Sequence, residues 1–160
     1  MTHRRRLLLL PLVGLLAAGC GSSQHLTPAQ SKLVAEADPI CASASARRAQ
    51  ANARLHGVTS LSNPQTLQVL ASTASGVAAY ESAAVTKLRK LSAPPSYAKE
   101  WQTMLTGLQQ LANDTAQLGV YAKAKNVAAA ERLDDGTQSV RSQLLAIASR
   151  DGFKSCGRND

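Results

Sequence analysis

Aromatic side chains are nearly absent from this chain: one Trp, three Tyr and one Phe make up 3% of its 160 residues. β-Branched residues are also sparse. That composition argues against a β-sandwich, whose strands draw on Val, Ile and Tyr. It leaves alanine, leucine, serine and glutamine, the residues of helices that pack closely through small side chains. Histidine is scarce too, with His3 near the start and only His25 and His56 further on. His56 stands beside Gly57 at an expected helix end, where an imidazole serves the helix dipole better than it serves as a base. Serines are numerous, but no G-x-S-x-G turn presents one as a nucleophile. No Glu-x-x-His pair exists to build a di-metal site in a bundle. Without strands, no Gly-rich phosphate loop can follow one.

Long apolar and long basic runs are missing as well. The longest apolar stretch, "LLLLPLVGLLAA", has 12 residues, whereas a membrane span needs roughly 20. Formal charge is +8, but three of the 18 basic residues, Arg4, Arg5 and Arg6, sit ahead of that stretch. The remainder exceed the 10 acidic residues by only 5. They are dispersed, with no run of five or six and no aromatic platform between them, which excludes nucleic acid as an expected partner. Length allows one domain with a real core.

What is there begins at the N-terminus. "THRRR", the 12-residue apolar run and a string of small residues form the three parts of an export signal. Three basic residues before Leu7-Leu8 are common in plain signals, so no twin-arginine route is read from them. The ending Ala17-Ala18-Gly19-Cys20 resembles the lipobox of bacterial lipoproteins. In that family the cysteine thiol takes a diacylglyceryl group and the preceding bond is cut. The resemblance implies a signal peptide over residues 1–19, an acylated Cys20 and a flexible tether over 20–27, the latter carried by "GSSQH". An anchor with more than one acyl chain binds durably, because each buried CH₂ adds about 0.8 kcal/mol. The departure is Ala17, which occupies the place usually held by Leu; Leu16 stands one earlier.

Assigning Cys20 to lipid makes the cysteine count even. Cys41 and Cys156 then remain, and in an exported domain the default for two such residues is a disulfide.

Between them the pattern is helical. Thr27-Pro28 starts a helix and Asp38-Pro39 repeats the device, yet Leu33, Ala37, Ile40, Ala44, Ala51 and Leu55 keep 3–4 spacing through it. One helix broken or kinked at Pro39 is therefore expected from about 28 to 56, ended by Gly57. Asn63-Pro64 caps a second helix, whose stripe runs from Leu67 to Leu91 and is interrupted by Glu81. A rotation exposing that carboxylate is expected, with pairing to a buried Arg or lining a cavity as the other readings. "SAPPS" stops this helix and starts a third, carrying Tyr97, Trp101, Leu105, Leu108, Ala112, Thr115, Leu118 and Ala122. Asn126 caps a fourth, and Gly152 ends it with Phe153 placed to fold back. The expected fold is all-α, an antiparallel four-helix bundle over residues 28–156 with a short tail at 157–160.

Taken together, the lipobox, "ADPIC" on the first helix, Leu88, Leu91, Pro94 and Pro95 in an L-x-x-L-x-x-P-P array, Trp101 and a C-terminal "GFKSCG" are similar to small helical lipoproteins of high-GC Gram-positive bacteria. The resemblance implies location and fold, and no activity. The function expected is therefore that of a non-enzymatic interaction or structural module of the cell envelope. It would be exported, anchored to the outer face of the cytoplasmic membrane, and without cofactor or metal. The membrane is its expected partner through the lipid, with another envelope protein beside it. Tyr97 and Trp101 are candidates for an interaction surface, since aromatics dominate hot spots; filling the end of an alanine-rich bundle is their other use. The alternative function is a binding protein for a small apolar or amphipathic ligand held between helices. A connected interhelical cavity would favour that reading, and a filled core the first.

Overall fold

Three of the four helices begin on a side-chain cap that the sequence offers, and α3 begins on a proline-led turn without one. In the computed structural model, which describes residues 26–55, 57 and 60–158, α1 spans Pro28–Asn52. Thr27 caps it: its Oγ1 accepts from the Gln30 amide at 3.3 Å, and Gln30 Oε1 accepts from the Thr27 amide at 2.8 Å. Asn63 caps α2, Pro64–Leu88, by accepting from the Gln65 amide at 2.8 Å. After a 3-10 turn at Pro95–Tyr97 comes α3, Ala98–Lys123. Asn126 caps α4, Val127–Arg150, through the Ala129 amide at 3.1 Å. No strand occurs among the described residues.

The expected break at Pro39 is not found: α1 is one continuous helix with Pro39 inside it. Proline removes one backbone donor, but the packing of Leu33, Ala37 and Cys41 on the same buried face carries the helix through. Asp38 is consequently not a second helix cap. Its carboxylate instead accepts the backbone amides of Lys154 (2.8 Å), Ser155 (3.0 Å) and Cys156 (3.3 Å), more than a hundred residues away.

Consecutive helices pack side by side in antiparallel fashion: α1 on α2, α2 on α3, α3 on α4. Gly119 faces Ala74 while Gln109 reaches Ser82, so α2 and α3 run in opposite directions. Backbone contact between α1 and α4 is slight. Here the circuit is closed by the C-terminal segment. Gly152 (φ +75°) turns the chain, the Phe153 amide donates to Ala148 O at 3.0 Å, and Cys156 bonds to Cys41. Packing continues past Cys156, since Gly157 is buried against Leu144 and Arg158 Nε donates to Phe153 O at 2.8 Å.

The core sits around that closure. Leu33, Ala37, Leu88, Trp101, Met104, Leu105, Leu144 and Phe153 are almost wholly buried, and the Trp101 and Phe153 rings stack with centroids 6.3 Å apart. Large side chains thus fill one half of the bundle.

Candidate functional site: an interhelical cleft

In the other half, small and charged residues are interspersed among the apolar facing positions. Ala51 ends α1's contribution, Thr73 and Ala74 face inward from α2, Thr115 from α3 and Thr137 from α4. All four helices line a solvent-open cleft of about 200 Å³ at this end. Its apolar wall comes from Leu55, Val69, Leu70, Val77, Leu111, Leu118 and Leu133. The threonine hydroxyls are turned back on their own helices: Thr73 donates to Val69 O (2.8 Å), Thr115 to Leu111 O (2.9 Å) and Thr137 to Asp134 O (2.7 Å). With those donors satisfied, the polar character of the cleft resides in four charged groups, Arg48, Asp114, Asp134 and Arg141.

Three of the four are engaged. Arg141 Nη1 donates to Asp134 Oδ1 at 2.9 Å, along one face of α4. Arg48 reaches from α1 to α2, donating through Nε (2.8 Å) and Nη2 to Glu81 Oε1. Asp114, half-buried on α3, accepts no hydrogen bond from a described residue. Burial raises its carboxyl above the ordinary Asp value, and Arg141 opposes that only in part.

Glu81 is the carboxylate that interrupts the α2 stripe, and the expectation that it turns outward is wrong. It is 7% exposed. Arg48 makes the burial tolerable by supplying two charge-assisted hydrogen bonds to one oxygen; Glu81 Oε2 has no hydrogen-bond partner among the described residues, and Glu81 and Arg48 both line a second, small pocket of about 40 Å³.

Tyr97 and Trp101 do not form an interaction surface: each is 2% exposed. Trp101 stacks on Phe153, and Tyr97 Oη donates to Asp151 Oδ2 at 2.5 Å. Asp151 also receives Arg150 Nε (2.7 Å) and Nη2 (2.8 Å), and Arg150 bonds Glu100 at 2.8 Å. Burial alone would push the Asp151 carboxyl upward, but the hydrogen bonds from Arg150 and Tyr97 prevail and hold it below the ordinary value. Burial and the Asp151 contact together push the Tyr97 phenol well up, so it remains a donor. This network joins the starts of the third helix and of the C-terminal segment.

Cys41 and Cys156 are bonded, 115 residues apart in sequence. Cys20, His25 and His56 lie outside the described residues. Among the described residues, no helix is long and apolar enough to cross a membrane and no cluster of metal-ligating side chains is found. The cleft residues Asp114 and Arg141 were not singled out by the sequence reading. The signal for Asp114 was its place three after Leu111 and four before Leu118, a carboxylate on an apolar face.

Comparison with family models, with curated proteins and with solved structures finds no match to this chain.

Proposed function

We propose that this protein is a lipid-anchored binding module of the cell envelope, held on the outer face of the cytoplasmic membrane by an acylated Cys20, which takes a small ligand between its helices. The anchor rests on the export signal and the lipobox-like Ala17-Ala18-Gly19-Cys20. The ligand reading rests on one observation: a bundle with one half filled and stapled keeps, in its other half, a cleft of about 200 Å³ lined by all four helices. Such a cleft offers a small molecule apolar surface from all four helices together with charged groups to orient it. The large exposed apolar side chains, Tyr80, Val120 and Leu145, stand one each on α2, α3 and α4, which gives a surface partner little to seat on. Apolar walls and ion pairs are the means of holding a molecule, and the role proposed is binding without chemical turnover.

Ligand-observed NMR with monocyclic and short-chain probes tests this reading. Saturation transfer is expected with wild type and is expected to vanish in Ala51→Phe, which fills the cleft, while helicity by circular dichroism stays unchanged. Equal transfer in both would overturn it. For the anchor, a metabolic fatty-acid probe is expected to label wild type and to leave Cys20→Ala unlabelled.

A further inference from the structure

The ionic inventory of the cleft narrows what it can hold. Two guanidinium groups, Arg48 and Arg141, and two carboxylates, Asp114 and Asp134, line the cleft, and Arg48 is already held by a third carboxylate, Glu81, outside the lining. Arg48 is bonded to Glu81 and Arg141 to Asp134, which leaves Asp114 without a hydrogen-bonded cation among the described residues, acted on by Arg141 only through its charge, in a lining that also holds Val77, Leu111 and Leu118. α2 contributes only Val69, Leu70, Thr73, Ala74 and Val77 to the lining, so no cation comes from that side. A negative group that is partly desolvated and lacks a donor is a seat for a positive one. Volume sets the second limit: a cavity of about 150 Å³ holds one benzene ring, and this one is about 200 Å³.

Resting on the cleft reading above, we propose that the ligand is a small amphipathic organic cation, with an apolar body of about one six-membered ring placed among Val77, Leu111 and Leu118 and an ammonium group donating to Asp114. An ammonium supplies the hydrogen-bond donors that Asp114 lacks and meets its charge. A neutral body would bring that half-buried carboxylate no charged donor, and an anion would add to the repulsion. Burial raises the Asp114 carboxyl, and a cation at its side would favour the ionised form.

Three probes of one shape and three charges, benzylamine, benzyl alcohol and benzoate, make the test. Each is titrated by calorimetry into the full-length chain purified from the envelope, with a protein-free detergent blank subtracted. The amine is expected to bind about tenfold more tightly than the alcohol, the size of one charge-assisted hydrogen bond, and Asp114→Asn is expected to erase that preference. The comparison of probes in wild type stands without any variant. If amine and alcohol bind equally and Ala51→Phe abolishes both, the cation inference falls and the cleft reading survives. If benzoate binds most tightly, the arginines govern the site and the inference falls. If none of the three binds above the blank, the cation inference and the cleft reading fall together.

Discussion

Asp38 and Asp151 show how single carboxylates are used in this protein. Asp38 accepts three backbone amides of the C-terminal segment, donors that would otherwise be left unpaired by an irregular chain packed on a helix. Asp38→Ala should therefore cost about 1–3 kcal/mol, read as a lower urea midpoint, with faster amide exchange confined first to residues 154–156. Asp151 is 3% exposed and its carboxyl is held below the ordinary value by Arg150 and Tyr97, against the upward push of burial. In the unfolded chain this carboxyl binds its proton at higher pH than in the folded one. Its stabilising contribution is full above the unfolded value of about 4 and is lost as pH falls through the lower folded value. Wild type should lose stability on acidification below about pH 4 more steeply than Asp151→Asn, as followed by thermal melts across pH. At neutral pH, Tyr97→Phe should cost about 2 kcal/mol by removing a hydrogen bond to a charged acceptor.

At the scale of elements, the glycines separate close packing from mere flexibility. A Cβ at Gly119 would meet the Ala74 Cβ at 2.7 Å, with Leu70 O next at 3.6 Å. Neither neighbour is the end of a flexible chain, so α2 and α3 would have to move apart. At Gly76 and Gly136, also inside helices, nothing lies within 4 Å of the added carbon. Gly76→Ala and Gly136→Ala should each stabilise by about 0.5–1 kcal/mol through helix propensity. Gly119→Ala should instead destabilise, by about 1–3 kcal/mol from overpacking less that same gain. Chemical denaturation of the three variants side by side checks the opposite signs. Pro39 belongs to this scale as well, for a continuous α1 carries it at the cost of one backbone bond because the face bearing Leu33, Ala37 and Cys41 is buried.

Over the whole molecule, closure is the weak point and the disulfide is what secures it. α1 meets α2 closely but meets α4 only slightly, so the ring of helices is completed by Cys41–Cys156 and the Asp38 amide contacts, while the Trp101–Phe153 stack fixes the C-terminal segment on α3. A covalent link across 115 residues restricts the unfolded chain by an idealised 4–5 kcal/mol or so. The Cys41→Ala, Cys156→Ala double variant should lose about 2–5 kcal/mol. Hydrogen exchange should show α1 losing protection before α2 and α3, the pair packed along its length. If all four helices lose protection together, closure is not the separate event proposed here. The same division places the cleft in the half of the bundle farther from the staple, between helix ends that the closure does not draw together.

Much of this was legible from residue order alone. The three caps at Thr27, Asn63 and Asn126, the stop at "SAPPS", the turn at Gly152 and the heptad-like stripes follow from local chemistry, which acts within a few residues and so is written in consecutive letters. The pairing of Cys41 with Cys156 followed from counting. What required the tertiary structure was every choice made between distant segments. Pro39 could interrupt a helix or ride inside it, and burial decided. Asp38 could cap a second helix or receive a remote segment, and the approach of residues 154–156 decided. Glu81 could turn outward or be buried, and the arrival of Arg48 from another helix decided. Tyr97 and Trp101 could offer a surface or fill a core, and Phe153 and Asp151 decided. The cleft is of the same kind, since it is a relation among four helices: the apolar stripes by themselves determined that Leu70, Val77, Leu118 and Leu133 face inward, and only the packing determined which charged groups join them and where the helices stand apart, because those depend on distant segments meeting.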